Sequence, residues 1–384
     1  MKCHLGSCKR MAVKIPHAAV LGAVAAAWRR TFFCGALIAS VACLTTCGRP
    51  AAPSAQTRTY LMGFSATPPR LDIAAVLKTI DTWRSRGDAA LLPLTVPWKS
   101  ILADTAPSVV VRRDQLELVQ LYRSYHFPIV VEIDATDGLA REREAPELVA
   151  LGRSIREPAV QQKYREYVAA VDSILHPEYM ALVMETNLSR ALLPRDVYDS
   201  LRTMVNAAAA ERAAGGSKAI LFVSVQVETA WGRLPNTGSF VGIDDDLRDF
   251  PFMRALGLSS YPFLGGFTEP EQVPIDYYRR LLSSGSLPML VVEGGWSSGS
   301  VPGVVSSPER QARWIKRHAE IADEARLAAL FQITFTDLDL TSFPAPPGSI
   351  LPLFAQLGLV DETFHPKPAL ATWDGVFARR HVTK

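Results

Sequence analysis

The sequence predicts an α/β protein, a closed (β/α)₈ TIM barrel, preceded by an N-terminal export segment and a linker. Three observations carry this. Eight short apolar or β-branched runs recur from residue 59 onward, amphipathic helical stretches separate them, and all five cysteines fall before residue 48.

The runs are residues 59–64, 89–96, 128–133, 180–184, 219–227, 256–260, 288–292 and 328–334. Continuous apolar runs of this length mark strands buried on both faces. Alternation with helices implies parallel pairing through crossovers, and eight such units match a barrel. Residues 72–86 place Ile73, Val76, Leu77, Ile80 and Trp83 at helical spacing. Residues 158–175 and 195–214 repeat the pattern, and Ser307-Pro308-Glu309 reads as a helix start. Residues 235–246 read as a long loop at the barrel mouth. A doubly wound sheet would want a glycine-rich phosphate turn after the first strand, and there is none.

The domain division is 1–47 export segment, 48–58 linker and 59–384 barrel. Arg29-Arg30 followed by an apolar stretch to Leu44 has the form of a basic region plus hydrophobic core. The paired arginines before Phe32-Phe33 resemble a twin-arginine export motif. Leu44-Thr45-Thr46-Cys47 resembles a bacterial lipobox, which implies Cys47 as a lipid attachment site and a membrane-anchored or periplasmic location. Six of the 41 basic residues precede Cys47 and no acidic residue does, so 35 basic face 38 acidic residues in the remainder. That balance gives no reason to expect nucleic acid. With no cysteine beyond Cys47, a disulfide framework and a cysteine metal site are both excluded there.

Barrel sites form at the C-terminal ends of the strands. Read there, the sequence offers Trp98 and Lys99 after strand two, Glu132, Asp134 and Asp137 after three, and Glu185 and Asn187 after four. Glu228 and Trp231 follow strand five, Ser259, Ser260 and Tyr261 six, Glu293 and Trp296 seven, and Phe335 and Asp337 eight. Carboxylates and aromatics dominate. No histidine follows any strand, and Gly-x-Ser-x-Gly is absent. Neither a metal nor an organic cofactor is expected. Carboxylate pairs with aromatic faces suit sugar chemistry, in which one carboxylic acid protonates a leaving oxygen and a second carboxylate works at the anomeric carbon.

Met184-Glu185-Thr186-Asn187, Ser260-Tyr261-Pro262 and Val292-Glu293-Gly294-Gly295-Trp296 resemble the clan A retaining glycoside hydrolases, nearest to the endo-β-1,4-galactanases. The closing Gly358-Leu359-Val360-Asp361 and Lys367-Pro368-Ala369-Leu370 resemble the end of the same barrels. The resemblance implies that Glu185 is the acid/base and Glu293 the nucleophile. Tyr261 would hydrogen-bond Glu293 and keep it ionised, while Trp296 would form part of a sugar platform. It also implies carboxyl groups roughly 5–5.5 Å apart, with the acid's pKa raised and the nucleophile's low. Asn187, Trp98, Glu228, Trp231, Asp134, Phe335 and Asp337 complete the expected substrate contacts. Two departures stand out. Met184 occupies the place of the usual Asn before the acid/base, and no arginine is assigned after strand two. The function expected is a retaining glycosidase acting as a monomer on an oligo- or polysaccharide. The alternative is a non-catalytic carbohydrate-binding surface lipoprotein on the same scaffold.

Overall fold

The computed structural model describes residues 57–234, 238–282, 287–301, 303–343 and 348–382. The export segment, Cys47 and most of the linker lie outside these residues.

Eight parallel strands close into one barrel, in chain order. They are Leu61–Ser65, Ala89–Thr95, Ile129–Asp134, Tyr179–Ala181, Ile220–Gln226, Ala255–Ser260, Met289–Gly294 and Ala329–Gln332. Each pairs with the next, and the last pairs with the first through Leu61 opposite Ala329. Thr57 and Arg58, expected in the linker, pair in parallel with Arg380 and His381.

The alternation along each strand divides the core in two. Ala89, Leu91, Val130, Ala181, Phe222, Leu290, Val292 and Phe331 fill the barrel interior. The opposite faces meet the helices, where Val76, Ile80 and Trp83 of the helix Ile73–Trp83 are buried. Asp72 starts that helix by accepting from the Ala75 amide, and Ser307 starts Pro308–Ala325 in the same way with Arg310.

Two segments depart from simple alternation. Between the sixth and seventh strands the described residues hold only the 3₁₀ turns Pro270–Gln272 and Arg279–Leu281. Pro270 and Pro274, with Gly265 and Gly266 before them, leave little room for a helix. The loop expected over 235–246 is present over its described residues 238–243 and runs into a short helix, Asp244–Asp249. Among the described residues no helix is long and apolar enough to cross a membrane.

Candidate active site

Parallel pairing puts every strand's C-terminal end on one rim. Period-two alternation then selects which side chains reach the lumen. Val130 lies in the interior cluster, so Glu132 and Asp134 on the same strand point inward too. Ala181 lies there as well, and Glu185 follows four residues later.

Glu185 is positioned by an unusual backbone. Its φ of 48° and ψ of 51° are left-handed, a conformation that costs a residue with a Cβ about 1 kcal/mol or more. Its amide donates to Ser224 Oγ at 3.1 Å, and the helix Thr186–Leu192 begins at the next residue. The regular strand ends at Ala181, and backbone bonds to the fifth strand continue through Leu182 and Val183 before the turn.

Glu293 is positioned by a bulge. The register between the sixth and seventh strands runs Leu258 opposite Val291 and then Ser259 opposite Glu293, leaving Val292 as the extra residue. Such a bulge re-aims the side chains that follow it. Gly294 is needed next to it, because a Cβ there would lie 2.7 Å from the Ser260 carbonyl.

The two glutamates have different partners. Tyr261 donates its hydroxyl to Glu293 Oε1 at 2.8 Å, while Oε2 is buried without a partner among the described residues. Glu185 accepts from Ser259 Oγ at 2.8 Å on Oε1 and from Arg141 Nε at 2.8 Å on Oε2. Arg141 also gives Nη1 to both oxygens of Asp134, at 2.8 and 2.9 Å, and to Thr136 Oγ1 at 2.8 Å. Arg141 is 4% exposed and Glu185 7%, so this ion pair is shielded from water. Beneath them Glu132 is fully buried with neither carboxyl oxygen partnered among the described residues.

This arrangement reverses one expectation. Burial, and then the charge of Glu185, push the Glu293 carboxyl from its ordinary 4.5 up to about 8, against the opposing pull of Arg141 and Tyr261. The resemblance implies a low pKa at this carboxyl, and its burial acts in the opposite direction. Burial is the leading cause, and Arg141, the cation buried at this rim, bonds to Glu185 and not to Glu293. Burial also drives Glu132 well above the usual carboxylate range, with Glu293 as the next cause. Tyr261 is pushed upward by burial and by Glu293, so it remains a donor.

The other expected contacts are placed differently from a sugar platform. Trp98 and Phe335 are completely buried and Trp296 is 1% exposed. Trp98 stacks on Tyr164, Phe335 meets the edge of Phe64, and Trp296 packs between Phe263 and Trp314. None offers an open ring face. Trp231 is half-buried, stacked on Tyr277, with the Arg280 guanidinium 5.0 Å from its ring centre. The Asn187 amide is consumed by the Gln226 backbone, accepting from its N–H and donating to its carbonyl. Asp337 pairs with Lys367 at 2.7 Å and accepts from the Gly358 amide. Asp137 accepts from Leu139 N and pairs with Arg143, as a turn residue does. Lys99 is exposed.

Glu228 acts one step back from the pair. It is buried, and it accepts from the Tyr261 amide at 3.0 Å, Ser260 Oγ at 3.2 Å and the Tyr277 hydroxyl at 3.1 Å. It thus anchors the backbone of the residue that contacts Glu293. Burial raises its carboxyl to about 7.

Neither a family model nor a curated protein matches the chain. Solved structures do. The fold is that of known glycoside hydrolase barrels. An exo-β-1,4-mannosidase from Opitutaceae bacterium strain TAV5 is similar at TM-score 0.59 and 15% identity, over 86% of this chain and 62% of that one. The chain thus spans less than two thirds of the mannosidase. A GH53 catalytic domain from Ignisphaera aggregans is similar at TM-score 0.55 and 13% identity, over 85% of this chain and 98% of the other. A GH5_18 protein from Bifidobacterium longum subsp. infantis follows at 0.53 and 14%, over 85% and 80%. At these identities the likeness is one of fold.

Arg141 is the site residue that strand-end reading misses. Arg141 lies seven residues beyond the third strand, in a loop without periodic signal. Glu132 and Ser259 stand among the residues read at the ends of strands three and six, without an assigned role.

Proposed function

We propose that this protein is a retaining β-glycosidase acting on an oligo- or polysaccharide, with Glu293 as nucleophile and Glu185 as acid/base. The observation that carries the reading is the pair itself: two buried carboxyl groups on one rim, from the fourth and seventh strands, one of them held by Tyr261. Tyr261 fixes Oε1 of Glu293 and leaves Oε2 to attack the anomeric carbon. Glu185 gives its proton to the departing glycosidic oxygen, so the leaving group departs neutral. The resulting glycosyl ester on Glu293 is opened by a water that Glu185 deprotonates, which restores both groups and retains configuration. In the same reading the N-terminal segment exports the chain and Cys47 carries a lipid.

A second reading, a non-catalytic carbohydrate-binding protein, is favoured by the Arg141–Glu185 ion pair, which engages the acid/base, and by Met184 in place of the usual Asn. A panel of aryl β-glycosides separates the two. Hydrolysis by the wild-type protein, abolished in Glu293→Gln, supports the glycosidase. Sugar binding without hydrolysis of any member would leave the second reading in its place.

A further inference from the structure

The donors around the two glutamates are distributed unevenly. Both oxygens of Glu185 are taken, one by Ser259 and one by the Arg141 cation. A proton on Oε1 would require the Ser259 hydroxyl to turn and accept it, and a proton anywhere on Glu185 would give up its charge beside the Arg141 cation. Arg141 is not free to withdraw, because the buried Asp134 takes Nη1 on both oxygens and Thr136 takes it as well. Glu293 has a single neutral donor, Tyr261, and a buried oxygen without a partner among the described residues. The titratable and charged groups facing it are Glu185, Arg141, Asp134 and Tyr261, with Glu132 beneath. Four carboxyl groups thus share one cation, whose hydrogen bonds go to Asp134 and Glu185 alone among them.

We propose that Arg141 is a positioning residue that fixes the resting charge of the pair on Glu185 and leaves its resting proton on Glu293. The consequence for catalysis rests on the glycosidase reading. Reaction requires the proton on Glu185 and the charge on Glu293, so the competent form is a minority arrangement of the singly protonated pair. It is reached by moving one proton from Glu293 to Glu185, with no change in the site's net charge. The upward shift of Glu293 by burial agrees with this placement. The two limbs of a pH–rate profile then belong to the pair, with the alkaline limb reporting loss of the proton from Glu293.

The test reads the protons directly. The protein is labelled with δ-¹³C glutamate, and carboxyl resonances are assigned by their loss in Glu185→Gln and Glu293→Gln. We expect the Glu293 resonance to titrate at higher pH than that of Glu185. In Arg141→Gln the gap should close by about tenfold or more in relative proton affinity. Arg141→Lys, which keeps a cation but loses the guanidinium fork, should close it partly and serves if the glutamine variant does not fold. Glu185 titrating above Glu293 in the wild type overturns the proposal, as does a gap unchanged in both Arg141 variants. A kinetic readout follows from Glu185→Ala with a 2,4-dinitrophenyl β-glycoside, whose departure needs no acid. Its kcat/KM should rise through a single limb that belongs to Glu293 and lies below the Glu293 titration of the wild type, because the Glu185 charge is gone; a limb that is unmoved or higher overturns the proposal. If the wild type hydrolyses no β-glycoside, the glycosidase reading fails, while the order of the resonances still decides where the charge sits.

Discussion

Glu293→Gln should destroy activity and stabilise the fold. The substitution keeps the shape and the Tyr261 contact but removes a carboxyl that burial pushes from 4.5 to about 8. A carboxyl whose folded pKa lies above its unfolded one supports folding fully below the unfolded value, and that support is lost as pH rises through the folded value. Each pH unit in that window costs ~1.4 kcal/mol. At pH 7 the wild type should therefore bear a penalty of about 3 kcal/mol that the glutamine variant lacks. At pH 4 both side chains are neutral and the difference should be near zero. For a chain this large the gain corresponds to roughly 6 °C in Tm at neutral pH. Thermal and urea unfolding of both proteins from pH 4 to 9 measures it. A stability difference that does not grow between pH 4.5 and 8 would refute the placement of the proton on Glu293.

Three further outcomes follow from the same contacts. Tyr261→Phe leaves both Glu293 oxygens without a donor and should lower kcat by about 10²-fold, seen in steady-state kinetics with the Glu293 titration moving further upward. Glu132→Leu replaces an unpartnered buried carboxyl with an apolar group of similar size and should stabilise the protein by ~1–3 kcal/mol at neutral pH, read from urea unfolding. Cys47→Ser should release the protein from membranes or block its processing, read by fractionation and mass spectrometry of the mature N-terminus.

The barrel was legible because parallel strands are buried on both faces, and few structures besides a buried parallel strand produce a short apolar run bounded by helices. The run at 180–184 extends past the regular strand, which ends at Ala181, because apolarity reports burial and Leu182, Val183 and Met184 stay buried up to the left-handed turn at Glu185. Glu185, Tyr261 and Glu293 could be named because each lies at or just past the C-terminal end of a strand. Their electrostatics could not be named, since Arg141 arrives from a loop whose path no periodicity encodes. The aromatic expectations missed for a related reason. Trp98, Trp296 and Phe335 sit at strand ends as a platform would, yet sequence position does not say whether a ring turns its face to the mouth or to Tyr164, Trp314 and Phe64. Glu228 shows the converse: a carboxylate at a strand end whose acceptors are used to hold Tyr261.

Covalent trapping tests the assignment of Glu293 as nucleophile most directly. The wild-type protein is incubated with the 2-deoxy-2-fluoro β-glycosyl fluoride of whichever sugar the aryl glycoside panel identifies, then digested and mapped by mass spectrometry. We predict a stable glycosyl ester on the peptide carrying Glu293, absent in Glu293→Gln. A label on any other carboxylate, or turnover of aryl glycosides with inversion at the anomeric carbon, would contradict it.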